Sequence, residues 1–217
     1  MVGNKNEKQI KILAISASPK KNGRTGGLLQ KFIAAAKRNG AKVDRLDLYQ
    51  LKPKIGNVSG KLGTIMKKPN GWQKKILDAD GIVVATPTYW FNEPGILKNF
   101  IDRLTIFEES GFLLEGKVAG FIVYSPSGGE TNVLENMAMV FSHQGLLLPP
   151  YSLIFYRDPS DKWATRDIVL LAKNMIQLIR SSKKAALNWD YPGSQYHLSP
   201  KELLNNAKKR KHYYPDV

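Results

Sequence analysis

The amino-acid sequence predicts an α/β protein: a doubly wound, three-layer α/β/α sandwich around a five-stranded parallel sheet, plus a C-terminal extension. Two observations support this fold class. Strand-like apolar runs alternate with helical stretches along the first 184 residues. Several of the runs are apolar throughout, which is typical of parallel strands that are covered on both faces. The 217 residues, 42% of them hydrophobic, suit one such domain.

The first three strands and their helices follow in regular order. Residues 10–15 are the first predicted strand, and an amphipathic helix after it ends near Asn39 and Gly40. Residues 43–48 are the second strand, followed by a Gly/Pro/Lys-rich loop over 51–70 and a helix over 72–79. The run at 81–86 is a buried third strand, and Pro94 is predicted at the first position of the next helix.

The second half continues the pattern. Residues 117–125 are the fourth strand, and Asn132 with Glu135 predicts a capped helix that ends near His143. A fifth strand is predicted over 146–154 and a long helix over 161–184. We therefore predict a domain over residues 1–184 and an extension over 185–217, in which a capping-box pattern at 199–202 predicts a short helix.

Composition excludes several kinds of site. The chain has no cysteine, which excludes disulfides, thiolate metal sites, cysteine-ligated clusters and a cysteine nucleophile. Its apolar runs are too short for a membrane span, and its polar start is unlike a secretory signal, so we expect a cytoplasmic protein. The net charge of +15 favours anionic partners in general but identifies none.

The loop after the first strand, "SASPKKNGRT", has the properties of an anion site. Hydroxyls of Ser18 and Thr25 and the N–H groups at the start of the next helix are donors, and Gly23 shapes the turn. Lys20 and Arg24 add positive charge. The alternative is a solvated turn in which a Ser or Thr side chain caps the helix.

Two further loops leave strands on the same side of the predicted sheet, where ligands of such folds bind. "TPTYWFNEP" places Tyr89, Trp90 and Phe91 in a row at the end of a buried strand, where a flat ring would cover their apolar surface. The alternative is that these aromatic residues pack under the tail or against a second subunit. "YSPSGGET" places Gly128 and Gly129 where the backbone passes close to something, although alone it is only a turn.

Together the first two loops resemble motifs of the flavodoxin-like NAD(P)H-dependent FMN reductases and iron–sulfur flavoproteins. "ASPKKNGRT" is similar to their G-S-P-R-x-x-G-N-T phosphate loop, and "TPTYWFNEPGILKNFIDR" resembles their S-P-x-Y-x-x-x-x-x-x-x-L-K-x-F-I-D-R segment. The resemblance implies FMN as the cofactor. It implies that the phosphate is bound by Ser18, Lys20, Gly23, Arg24 and Thr25, and that the isoalloxazine is lined by Pro87, Thr88, Tyr89, Trp90, Phe91 and Asn92 and closed over by Ser127, Gly128 and Gly129.

The sequence departs from this pattern in two places. Lysine replaces arginine at position 20 and arginine replaces asparagine at position 24, which keeps or adds positive charge. In the iron–sulfur branch the loop after the second strand reads P-C-x-x-C-x-x-C, whereas here Lys54, Asn57 and Gly60 take the cysteine positions. We therefore expect no iron–sulfur cluster, and we read Lys54 as a solvated surface residue.

The function that the resemblance implies is an oxidoreductase in which NADPH or NADH reduces FMN, which then reduces a small acceptor such as a quinone or free flavin. We assign no catalytic side chain and no metal ligand, and we read His143 as a structural residue at a helix end. A homo-oligomer, dimer or tetramer, is expected from the family.

Two other classes stay open. A flavodoxin-type electron carrier would dock on a redox partner, but flavodoxins are acidic and this chain is basic. A flavin- or nucleic-acid-binding regulator is suggested only by "KKRKH" at 208–212, which reads better as cations that complement a helix dipole.

Overall fold

A computed structural model describes residues 9–51, 70–109, 112–158 and 160–185 of the chain. Its five strands form one parallel sheet in the order β2-β1-β3-β4-β5. The strands are β1 (Lys11–Ser16), β2 (Lys42–Asp47), β3 (Gly81–Pro87), β4 (Val118–Tyr124) and β5 (Leu153–Tyr156). The helices are α1 (Arg24–Arg38), α2 (Gly71–Asp78), α3 (Gly95–Asp102), α4 (Thr105–Glu109), α5 (Glu130–His143) and α6 (Lys162–Ala185). The predicted fold class is confirmed.

The core consists of two apolar layers, one on each face of the sheet. Side chains alternate along a strand, so Leu13 and Ile15 join the layer under α2 to α5, while Ile12 and Ala14 join the layer under α1 and α6. Every residue of β3 and β4 is buried. This burial on both faces accounts for the largely apolar sequences of these two strands, whereas β2 and β5 are the partly exposed edges.

Three local predictions were wrong. Asn132 does not cap α5, because that helix begins two residues earlier at Glu130, with Gly129 as the N-cap in a left-handed conformation. Pro94 is itself the N-cap residue, and the helix begins at Gly95. The fifth strand begins at Leu153 rather than near residue 146.

The late start of β5 has a local cause. Leu147 makes only an isolated bridge to Val118, and Pro149 and Pro150 follow it. Neither proline can donate a ladder hydrogen bond. Tyr151 then has a φ of 63° and lies in a turn. Regular pairing therefore resumes only beyond this turn.

The predicted capped helix at 199–202, the cysteine-position residues Lys54, Asn57 and Gly60, and the basic run at 208–212 lie outside the described residues. The division into a domain over 1–184 and an extension over 185–217 stays a prediction. Among the described residues, no helix is both long enough and apolar enough to cross a membrane.

Candidate functional site

Three loops leave the sheet side by side at the carboxyl ends of its central strands. The strand hydrogen bonds continue into them: Ala17 N–H donates to Ala85 O (2.9 Å), and Thr88 N–H donates to Tyr124 O (3.0 Å). A third bond joins the N–H of Ser125 to a carbonyl of β5 at 2.8 Å. The winding direction reverses between β1 and β3, so the loops meet where ligands of doubly wound sheets bind.

The loop after β1 ends in a helix start that no side chain caps. Gly23 is the N-cap residue of α1 and makes no capping bond. The Ser18 hydroxyl instead stays within the loop, where it accepts a hydrogen bond from the N–H of Lys20 at 3.3 Å. The alternative of a Ser or Thr side chain capping this helix is therefore wrong. Donors at the first turn of a helix favour an anion.

Two features of this loop were not expected from the sequence. Thr25 is only 3% exposed, because it lies in the first turn of α1 against the core. A side chain at Gly26 would place its Cβ 2.0 Å from the carbonyl oxygen of Lys21. The loop therefore folds tightly back on the helix start, with Lys20 and Lys21 exposed at its rim.

Arg24 reaches across the sheet edge. Its Nη1 donates a hydrogen bond to the hydroxyl of Tyr124 at 2.8 Å, and its guanidinium carbon lies 5.7 Å from the centre of that ring. A guanidinium has five N–H donors, so this contact orients Arg24 and leaves donors for an anion. Tyr124 is a hundred residues away in sequence. Sequence spacing could not reveal the pair.

The loop after β3 is a tight aromatic turn, defined here as residues 89–92. Tyr89 and Asn92 exchange backbone hydrogen bonds of 2.8 and 3.1 Å. Trp90 and Phe91 between them have φ of 50° and 62°. Positive φ at both central residues is the pattern of a type I′ turn, which normally takes Asn and Gly. Left-handed backbone costs an L-residue roughly 1–2 kcal/mol.

The turn presents its aromatic rings to solvent. Trp90 is 94% exposed, Phe91 58% and Tyr89 44%. The row therefore lies at the end of a buried strand, as the sequence indicated, and its rings are exposed in the single chain. Strained backbone and exposed large apolar side chains are both unfavourable without a binding role, and such features concentrate at functional sites.

A cleft of about 440 Å³ lies between the turn and the loop after β4. Its lining comprises Thr88, Tyr89, Trp90, Phe91, Pro126, Ser127 and Gly128. Six of these residues were predicted to surround a ring, and Pro126 was missed. The predicted residues Pro87, Asn92 and Gly129 border the cleft in sequence but are not part of its lining.

Gly129 brings the two sides of the cleft together. A Cβ at this position would lie 2.3 Å from the Cα of Phe91 and 2.4 Å from its carbonyl carbon and oxygen. Gly129 also has a φ of 87°. The sequence-based expectation that the backbone passes close to something here is confirmed, and the neighbour is the backbone of the aromatic turn.

A polar network behind the cleft, buried at Ser125 and Glu130 and open to solvent at Arg157, was not predicted. The hydroxyl of Thr88 donates to that of Ser125 (3.1 Å), which donates to Glu130 Oε2 (2.9 Å). Glu130 Oε1 accepts bonds from Arg157 Nη2 (2.8 Å) and Nε (3.2 Å). The Arg157 guanidinium, with help from Ser125, holds the pKa of the Glu130 carboxyl below its ordinary value.

The histidine and the carboxylates of the described residues are the side chains to compare with the geometry that metal binding needs. His143 ends α5, and its Nε2 lies 3.3 Å from Glu108 Oε1, with the His143 side chain 62% exposed. Among residues 9–51, 70–109, 112–158 and 160–185, no cluster of three His, Asp or Glu side chains has metal-binding geometry. The three loops therefore bring an uncapped helix start with nearby cations to the same edge of the sheet as a cleft of about 440 Å³.

Comparison with known proteins identifies the family of the chain that carries these three loops. Residues 10–157 match the family model of NADPH-dependent FMN reductases, which covers more than half of the chain. The chain belongs to this family. It is an oxidoreductase of a flavin-binding family, and the matched segment contains all three loops.

The relatives within the flavoprotein group differ in their named activities. An iron–sulfur flavoprotein of Archaeoglobus fulgidus is 30% identical over 149 residues, which span 67% of this chain and 74% of that protein. An NAD(P)H dehydrogenase (quinone) of Acidithiobacillus ferrooxidans is 33% identical over 88 residues, or 39% of this chain and 44% of that one. The FMN reductase family member described here has no cysteine in its 217 residues.

Solved structures support the flavodoxin-like fold. RosB with bound 8-demethyl-8-formylriboflavin-5′-phosphate superposes with a TM-score of 0.69 at 15% identity, covering 96% of this chain and 90% of RosB. A flavodoxin from the domain Archaea superposes with a TM-score of 0.57 at 15% identity, covering 79% of this chain and 99% of that protein. At such identities the likeness establishes the fold alone.

Proposed function

We propose that this FMN reductase family member binds FMN at the three loops and passes electrons from NADPH or NADH to a small acceptor such as a quinone or free flavin. The observation that carries the proposal is the pairing of two features at one sheet edge. An uncapped, cation-rich helix start lies beside an apolar cleft that is walled by exposed aromatic rings. FMN has a phosphate for the first and a flat ring for the second.

The phosphate end is assigned to the loop after β1 and the start of α1. Ser18, Lys20, Gly23, Arg24 and Thr25 would bind it, as the family motif implies. The Gly26–Lys21 contact keeps the loop close to the helix start, so the N–H groups and cations are gathered before a ligand arrives. Charge-assisted hydrogen bonds are worth about 1.5–3 kcal/mol each and exceed the helix-dipole contribution of about 0.3–1 kcal/mol.

The ring end is assigned to the cleft. Thr88, Tyr89, Trp90, Phe91, Ser127 and Gly128 would line it, with Pro87, Asn92 and Gly129 bordering it. Backbone groups at the glycines can approach a polar ring edge closely, because no Cβ intervenes. Binding a ring here would cover the aromatic surface that the free protein leaves exposed. The residues present therefore fit FMN at both ends.

When bound, FMN supplies the redox chemistry: it accepts a hydride from reduced nicotinamide and passes two electrons to an acceptor. The protein would hold the ring in the cleft, where reduced nicotinamide and the acceptor would bind in turn. We propose no protein side chain as acid or base. Because the chain has no cysteine, we also propose that electrons leave without a cluster bound by this chain.

A flavodoxin-type electron carrier is the second candidate. The fold likeness to an archaeal flavodoxin is compatible with it. The net charge of +15 argues against it, because flavodoxins are acidic. A nucleic-acid-binding regulator has less support, since its basic run lies outside the described residues. We further propose a cytoplasmic homodimer or homotetramer, in keeping with the exposed aromatic turn.

The decisive experiment is the absorption spectrum of the purified protein before and after anaerobic NADPH. Bleaching of a flavin band by NADPH, with the colour restored by a quinone, is expected for the enzyme. Bleaching only in the presence of a separate reductase would favour the carrier. A colourless protein that cannot be reconstituted with FMN would overturn both.

A further inference from the structure

A buried carboxylate connects the ends of three strands behind the cleft. Glu130, the first residue of α5, has a side chain that is only 6% exposed. One of its oxygens is paired with Arg157, which follows β5, and the other accepts the proton of Ser125, which follows β4. None of these three residues lines the cleft. Any effect of these residues on a ligand in the cleft must therefore pass through other residues.

The connection reaches the aromatic turn through Thr88. Thr88 precedes Tyr89 directly, and its hydroxyl donates to that of Ser125 at 3.1 Å. The Ser125 hydroxyl has one proton and two acceptors in reach, Glu130 Oε2 at 2.9 Å and the carbonyl oxygen of Gly128 at 2.7 Å. An ionised carboxylate is the stronger acceptor. The bonds then run in one direction, from Thr88 through Ser125 to Glu130.

The aromatic turn needs support of this kind. Trp90 and Phe91 both have left-handed backbone, which persists only where the surroundings hold it. Besides the Tyr89–Asn92 bonds within the turn, two contacts from outside hold it: the bond from Thr88 to Ser125, and the close approach of Gly129 to the Phe91 backbone. Both supports come from the segment 125–130, whose end is fixed by the bonds of Glu130 to Ser125 and Arg157.

We propose that Glu130 is a positioning residue: acting through Ser125 and Thr88, it holds the aromatic turn in the conformation that receives the flavin ring. The proposal rests on the proposed function for the identity of the ligand. In this proposal the guanidinium of Arg157 neutralises the buried negative charge of Glu130. The proposal predicts that loss of Glu130 weakens binding of the flavin ring, and therefore weakens FMN and riboflavin alike.

The test is a double-mutant cycle of Glu130→Gln and Ser125→Ala, with FMN and riboflavin titrated separately by flavin fluorescence. Each single variant should weaken both flavins about 10- to 100-fold, the range expected for a hydrogen bond to a charged group. The double variant should bind each flavin no more weakly than the weaker-binding single variant does, because both changes break the same chain of hydrogen bonds. Glu135→Gln is the matched control, since Glu135 is exposed on the same helix. It should bind both flavins like the wild type.

The outcomes separate the inference from the proposed function. A wild-type protein that binds neither flavin overturns both. If the wild type binds both and Glu130→Gln binds them equally well, or if the two losses simply add, the inference alone is overturned. A loss confined to FMN also overturns it, because that would place the effect at the phosphate. Should Glu130→Gln fail to fold, Ser125→Ala decides, because it leaves the Glu130–Arg157 pair in place: weaker binding of both flavins supports the inference, and unchanged binding overturns it.

Discussion

Replacing Gly129 by alanine tests how closely the aromatic turn and the loop after β4 fit together. The added Cβ would lie 2.3–2.4 Å from three backbone atoms of Phe91, which cannot rotate away as the end of a side chain can. The φ of 87° costs an L-residue about 1–2 kcal/mol. Overpacking typically adds about 1–3 kcal/mol, so Gly129→Ala should destabilise the protein by about 2–5 kcal/mol in total.

Gly128→Ala is the matched control for this prediction. Gly128 also has positive φ, at 103°, but its added Cβ would only touch ring atoms of Phe91 at 3.6 Å, an ordinary contact distance. Its cost should therefore be backbone strain alone, about 1–2 kcal/mol. Urea unfolding of both variants measures the difference, and riboflavin titration reports the cleft. Equal free energies of unfolding and equal riboflavin affinities for the two variants would refute the close approach as the reason for glycine at position 129.

The remaining predictions concern the phosphate end and one buried lysine. Thr25→Ala should weaken FMN far more than riboflavin, and equal losses in two parallel titrations would show that the loop does not hold phosphate. Tyr124→Phe removes the hydrogen bond that orients Arg24, so FMN affinity should fall about 2- to 10-fold with riboflavin unchanged; a matching fall for riboflavin would contradict this. Burial lowers the pKa of Lys117 to about 8, whereas the unfolded chain keeps an ordinary value near 10.5. Between these values the unfolded state binds the extra proton, so stability should rise with pH over this window by up to about 3 kcal/mol. Urea unfolding at pH 8 and pH 10 should show this rise, and Lys117→Met, compared under the same conditions, should lack that part of it.

The sequence predicted the sheet well because burial on both faces leaves a plain signal. The predicted strands at 81–86 and 117–125 are apolar over most of their length, and they correspond to β3 and β4 at the centre of the sheet. The strands at the edges of the sheet were harder to predict. At β5 only alternate residues are buried, and the prolines before it delay the pairing, so the apolar run at 146–154 pointed to the wrong start.

The candidate site likewise has a part that the sequence predicted and a part that it did not. Loop positions at strand ends follow from topology, which is why Tyr89, Trp90 and Ser127 were found together. The contacts that orient those loops join residues far apart in sequence: Arg157 is 27 residues from Glu130, and Ser125 is 37 from Thr88. No spacing rule links such pairs. The predicted start of α5 was wrong for a related reason. The capping pattern of Asn132 suggested a start there, but the left-handed Gly129 begins the helix at Glu130 instead.

The type I′ turn at Trp90 and Phe91 sets a limit on how far this protein can be stabilised. Asn and Gly in these two positions would adopt the same backbone with little strain, so a search for thermostable variants would select them early. That exchange would remove the two most exposed rings of the cleft. Stability gained at this turn is therefore expected to come with loss of activity, and library design should keep residues 90 and 91 fixed.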